Sequence, residues 1–146
     1  MLGNGTQARA LRSLFAEAGV SEQVSFPGQV SHEALPGYFQ EADLYVSASQ
    51  SDGSSISLLE AMACEALVLV SDIPGNREWV EAGETGWLFP VGNPQALAEG
   101  ILQAMEEPGR LEMTRKARRV VEARADWKVN FKKLLEAYEM AIGRGS

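Results

Sequence analysis

The segment Ser51–Val80 reads SDGSSISLLEAMACEALVLVSDIPGNREWV. It opens on an acidic residue, a glycine and serines, then turns apolar at helical spacing, with Glu60 inside the apolar part. This pattern predicts a helix that starts near Ser54 or Ser55 and ends near Cys64. LVLVS follows and is apolar enough to be a strand buried on both faces, as in parallel sheets. IPGNREWV then predicts a turn and one helical turn.

The same alternation extends in both directions. Upstream, Thr6–Ala18 carries Leu11, Leu14, Phe15 and Ala18 on one helical stripe. QVSF is expected as a strand closed by Pro27-Gly28. SHEALPGYFQEAD reads as a short Pro-interrupted helix with Ser31 at its cap, and LYVSAS as a strand. Downstream, GWLF predicts a short strand, followed by helices over 94–105, 110–123 and about 128–142, the first with Asn93 as cap and Pro94 at its first position. Alternating strands and helices imply a mostly parallel α/β sheet of Rossmann type, with ligands at the carboxyl ends of the strands. MLGNG leaves too little strand before its glycines, so the sheet is expected to be cut at its first strand. An exposed strand edge is then expected to recruit a second copy, as a homodimer or by strand exchange.

The start of the Ser51–Val80 helix can do chemistry. Its free backbone N–H groups and dipole suit an anion, and Gly53 allows close approach. Ser54, Ser55 and Ser57 add hydroxyls. Glu60 is unsuited to a phosphate but can accept hydrogen bonds from the vicinal diol of a ribose. Asp52 can bind hydroxyls on the other side. The plainer alternative is that the serines only cap the helix and Glu60 faces water or complements the dipole.

Composition narrows the classes. The length of 146 residues fits one domain. Mean hydropathy is −0.14 and no apolar run reaches the ~20 residues of a membrane span. With no basic, apolar leader, a cytoplasmic location is expected. Cys64 is the single cysteine, so a disulfide framework and a structural zinc are unsupported. A net charge of −7 argues against nucleic acid. The basic run Arg115–Arg124 reads as a solvated helix face, with membrane-surface contact as a weaker alternative. His32 is expected to be exposed, Cys64 buried, Trp79 and Trp87 in the core, and Glu78 structural. No metal site is expected.

DGSSISLLEAMACE resembles the signature of retaining GT-B glycosyltransferases, in particular glycosyltransferase family 4, the glycosyl transferases group 1: an acidic residue, seven residues, then Glu and Ala-Met-Ala-Cys-Gly. VSFPGQVSHEALPGYFQEADLYVSAS and SDIPGNREWVEAGETGWLFPVGNPQALAEGI resemble the family's flanking segments in the same order. The resemblance implies a nucleotide-sugar (donor) binding domain over 1–146, incomplete at the N-terminus, with a helical tail at about 110–142. It implies a UDP- or GDP-sugar as donor substrate, no further cofactor and hexosyl transfer with retention. Asp52 would hold the donor sugar and Glu60 the ribose. Gly53 and the N–H groups of Ser54, Ser55, Ile56 and Ser57 would hold the diphosphate, and Gln29, Val30 and Leu35 the base.

This sequence departs from the family pattern in four ways. Asp52 stands where Glu is commoner. Glu65 and Leu67 replace Gly and Pro, and at Glu65 the helix C-terminal turn is expected to be either strained or remodelled. The family's Gly-Arg…Lys-Gly diphosphate segment and its N-terminal acceptor domain have no counterpart in the sequence, so the chain alone is expected to be inactive. Two rivals are a non-catalytic module pairing with a chain that carries the missing half, and another nucleotide-sugar enzyme of the same fold. A phosphorylase would need a lysine for its cofactor, and none precedes Lys116.

Overall fold

The computed structural model describes residues 5–143. The chain divides into two compact units, Met1–Gly37 and Tyr38–Ser146. In the first, helix α1 (Ala8–Glu17) is followed by a 3-10 turn (Ser21–Gln23). Phe15 and Phe26 pack ring to ring at 5.9 Å, with the Arg12 guanidinium 4.3 Å above the Phe26 ring. QVSF is not a strand of the sheet described below. The N–H groups of Gln23 and Val24 bond back to Val20 and Ser21, and these turn bonds commit the start of the segment locally. Helix α2 (Leu35–Glu41) carries the division between the units. Its entry is a turn in which Ala34 and Leu35 N–H both bond the Ser31 carbonyl.

The second unit is built on a three-stranded parallel sheet in the order β1-β2-β3, from β1 (Tyr45–Ser47), β2 (Val68–Ser71) and β3 (Trp87–Phe89). β2 is central and buried along its whole length, as its unbroken apolar run predicts. Helix α3 (Ile56–Ala63) buries Leu58, Ala61 and Met62, one face of a 3.6-residue repeat. Burying Leu58 and Met62 completely contributes about 1.5–3 kcal/mol each. α3 packs on β1, β2 and α6 (Arg110–Arg124), which turns Met113, Ala117 and Val121 inward. α5 (Pro94–Glu106) covers β2 and β3, and its Ala104 joins Leu67 and Met113 in a cluster against which Trp87 packs. A short α4 (Pro74–Arg77) follows β2, and α7 (Trp127–Gly143) ends the described chain without a buried residue. No helix among the described residues is long and apolar enough to cross a membrane.

Several sequence expectations meet a definite placement. Trp79 is buried, with the Arg124 guanidinium 4.7 Å above its ring. Glu78 is structural: it closes α4, its carbonyl accepts from Arg124, and its carboxylate lies 3.6 Å from the same guanidinium. Along the basic run, Lys116 pairs with Glu84, Arg118 with Glu65 and Glu122, Arg119 with Glu112 and Arg124 with Glu78. These pairs balance four of the run's five basic side chains locally. Cys64 is half-buried rather than fully buried, because it closes α3 at the edge of the core. Burial pushes its thiol up, with Arg118 pulling down and Glu60 pushing up.

Candidate functional site at the start of helix α3

The loop leaving the carboxyl end of β1 runs from Ala48 to Ser55 and feeds α3 directly. Ser55 is the cap. Its backbone is extended, and its buried hydroxyl accepts the Leu58 N–H at 3.4 Å while its carbonyl accepts the Leu59 N–H. One of the four orphan donors at the helix start, the Leu58 N–H, is thus satisfied by the cap side chain, and the Leu59 N–H makes the first intrahelical bond. The N–H groups of Ile56 and Ser57 have no acceptor among the described residues, and Ile56 is 72% exposed. Two open amides and the positive end of the dipole favour an anion there.

The side chains around these amides are polar. Ser57 Oγ lies 2.8 Å from Tyr45 Oη and 3.2 Å from Ser55 Oγ, so its hydroxyl is fixed from two sides. Glu60 is half-buried, three residues beyond Ser57 and therefore on the same side of the helix. Asp52, Gly53 and Ser54 are exposed on the loop before the helix. The structure thus brings Asp52 through Ser57 together with Glu60 on one loop and one helix. Gln29, Val30 and Leu35 belong to the first unit, where Gln29 is exposed and Val30 and Leu35 are half-buried. His32 is exposed in the turn before α2. Among the described residues, no three His, Cys, Asp or Glu side chains gather as a metal site.

Three residues that sequence reasoning passed over support the loop. Ser71 ends β2, and its hydroxyl donates to the Ser49 carbonyl at 2.5 Å. Asn76 of α4 is buried and donates to the Ser71 carbonyl at 2.8 Å and to Ser71 Oγ at 3.3 Å. Gly75 lies so close to the carbonyls of Asp52 and Gly53 that a Cβ there would collide with both. The signal in the sequence was a polar Asn directly after Pro-Gly, but its partner stands 22 residues beyond the loop it supports. Beside them, Arg77 forks onto Asp72 at 2.5 and 2.8 Å, and this guanidinium holds the Asp72 carboxyl below the usual carboxylate range.

A parallel sheet with a polar loop and an open helix start at its strand ends belongs to the α/β class that binds phosphorylated ligands there. The chain belongs to the glycosyl transferases group 1 family, whose model matches residues 1–124. The putative glycosyltransferase EpsD of Bacillus subtilis is 34% identical over 108 residues, which is 73% of this chain and 27% of that protein. The phosphatidyl-myo-inositol mannosyltransferase of Mycobacterium tuberculosis is 32% identical over 140 residues, 91% of this chain and 37% of the relative. Sucrose-phosphate synthase from Thermosynechococcus elongatus superposes with a TM-score of 0.88 at 26% identity, over 98% of this chain and 38% of that one. Anabaena HepE, solved in complex with UDP-glucose, shares the fold with a TM-score of 0.86 at 23% identity, over 95% of this chain and 40% of that one. The chain therefore spans well under half the length of these relatives.

Proposed function

We propose that this chain is the donor-binding part of a retaining GT-B glycosyltransferase of family 4, transferring a hexose from a UDP- or GDP-sugar. The observation that carries this reading is the open start of α3, flanked by Asp52 and Glu60, in a chain of the group 1 family. The HepE complex with UDP-glucose supports a nucleotide-sugar at this fold.

The Ile56 and Ser57 amides, with Gly53 and Ser54 beside them, hold the diphosphate. Glu60 accepts from the ribose hydroxyls, and Asp52 accepts from hydroxyls of the sugar. As the glycosidic bond to the diphosphate lengthens, negative charge grows on the leaving oxygen, and fixed amide dipoles stabilise it without reorganising. The acceptor is bound elsewhere, by an N-terminal domain of the whole protein, which works in the cytoplasm. The isolated chain binds donor without turning it over.

Calorimetric titration of the chain with UDP, GDP, UDP-glucose and GDP-mannose, beside Glu60→Ala, tests this. Saturable binding that weakens at least about tenfold in the variant is expected. Absence of binding to a folded wild-type chain overturns it. Self-association through the β1 edge, where Val46 is 40% exposed, is the accompanying proposal. Light scattering that finds a monomer at every concentration overturns that.

A further inference from the structure

The loop that carries Asp52 is not held by its own residues alone. Asn76 Nδ2 donates to Ser71 Oγ, and Ser71 Oγ donates to the Ser49 carbonyl, so one relay runs from α4 through the end of β2 to the loop. The Asn76 amide can face only one way, because its 2.8 Å contact to the Ser71 carbonyl requires the nitrogen there. Asn76 and Ser71 are each 1% exposed. Burying an amide and a hydroxyl is unfavourable unless both are bonded, so packing alone would be served better by apolar side chains. Between them Gly75 brings the backbone of α4 against the Asp52 and Gly53 carbonyls. Ser71 thus touches the loop at Ser49 and Gly75 at Asp52 and Gly53, while Asn76 holds Ser71.

We propose that Asn76 and Ser71 are positioning residues that set where the Asp52–Gly53 backbone stands beside the start of α3. Neither is a catalytic residue. The consequence for binding rests on the donor-site reading above. The Ile56 and Ser57 amides are held by α3 itself and by its Ser55 cap. Losing the relay therefore frees Asp52 and leaves those amides in place. The sugar's share of donor affinity falls, while the diphosphate's share remains.

The test uses the 146-residue chain as wild type, Ser71→Ala and Asn76→Leu, with Val68→Ala as a core control on the same strand away from the relay. Amide hydrogen exchange is measured without ligand, and affinities for UDP and UDP-glucose, and for GDP and GDP-mannose, by calorimetry. Expected in both relay variants is exchange at least about tenfold faster at 49–53 than the change seen in β2 and α3. Expected too is about a fivefold loss of the sugar-dependent gain in affinity, with the nucleoside diphosphate alone changing by less than about twofold. Val68→Ala lowers the melting temperature without this pattern. Unchanged exchange at 49–53 overturns the proposal. So does a parallel loss of both affinities that tracks melting temperature as in the control. A wild type that binds none of the four ligands defeats the donor reading instead, and the exchange data then decide the relay by themselves.

Discussion

Helices α3 and α5 begin in nearly the same way. Ser55 and Asn93 are extended residues whose side-chain oxygens accept the third helical N–H, Leu58 at 3.4 Å and Ala96 at 3.0 Å. Their carbonyls accept the next amide, from Leu59 and Leu97. The difference lies in the first position. α5 starts with Pro94, which has no N–H to offer, while α3 starts with Ile56, whose N–H is open. Beyond α5's cap the polar side chains pair locally, Gln95 with Glu99. Around α3's cap they converge, and the preceding loop is moulded by Ser71, Gly75 and Asn76. Among the described residues, the first turn of α5 therefore leaves one amide open, that of Gln95, where α3 leaves two.

The largest expected effect breaks the mould. Gly75→Ala drives a Cβ into the carbonyls of Asp52 and Gly53, which belong to backbone and cannot swing aside. A loss of about 2–3 kcal/mol in denaturant unfolding is expected, the scale of overpacking in a tight core. An alanine at exposed Gly37, which has open space around it, is the matched control.

Next comes a substitution that makes α3 resemble α5. Ile56→Pro removes one open amide at a position where proline is tolerated, and the extended Ser55 before it suits a following proline. Nucleoside diphosphate affinity is expected to fall at least about tenfold, near 1.4 kcal/mol, with little change in melting temperature. Unchanged affinity would show that the open amide is not used.

The paired cap deletions are smaller. Ser55→Ala and Asn93→Ala should each cost about 1 kcal/mol of stability by thermal unfolding. Only Ser55→Ala should also weaken nucleotide binding, because only its helix start faces the proposed ligand.

Much of this contrast was legible in the sequence. Caps and proline at N1 are local chemistry, so Ser55, Asn93 and Pro94 could be read from neighbours alone. The unbroken LVLVS run announced a strand buried on both faces. The spacing of Asp52 and Glu60 left a capping and a binding reading open, and the family resemblance is what singled the two out. QVSF misled because period-two patterning does not reveal that its first two N–H groups donate back to the Val20 and Ser21 carbonyls. The Ser71–Asn76 relay was hidden for a different reason: its contact to Ser49 exists only once parallel pairing brings the ends of β1 and β2 side by side.

Helix C-termini repeat the comparison at a lower magnitude. α1 and α3 end in the same motif: Gly19 and Val20 bond back to Ala16 and Phe15, as Glu65 and Ala66 bond back to Met62 and Ala61. Gly19 has φ of 71° and Glu65 has φ of 61°. Of the two outcomes expected from replacing glycine after Ala-Met-Ala-Cys, strain rather than remodelling is found, because the turn keeps its geometry and Glu65 accepts the left-handed conformation. Glu65→Gly should raise stability by about 0.5–1 kcal/mol, since relief of the Cβ penalty exceeds the added freedom of the unfolded chain. The 3.3 Å pair with Arg118 is lost, but Arg118 keeps Glu122 and a surface pair contributes little.

The smallest effect concerns the ion pair beside the mould. Arg77 holds the Asp72 carboxyl below its ordinary range, so the folded chain binds that proton more weakly than the unfolded one. The resulting stabilisation is full above the ordinary Asp pKa of about 3.9 and is lost as pH falls from there through the lower folded value. Asp72→Asn should lower the melting temperature by about 1–2 °C at neutral pH and converge with wild type in acid, as a salt-screened surface pair requires. A difference that persists undiminished at low pH would mean that Asp72 acts on α4 through packing rather than charge. Raising the salt separates the two cases again, because screening weakens the ion pair and leaves packing untouched.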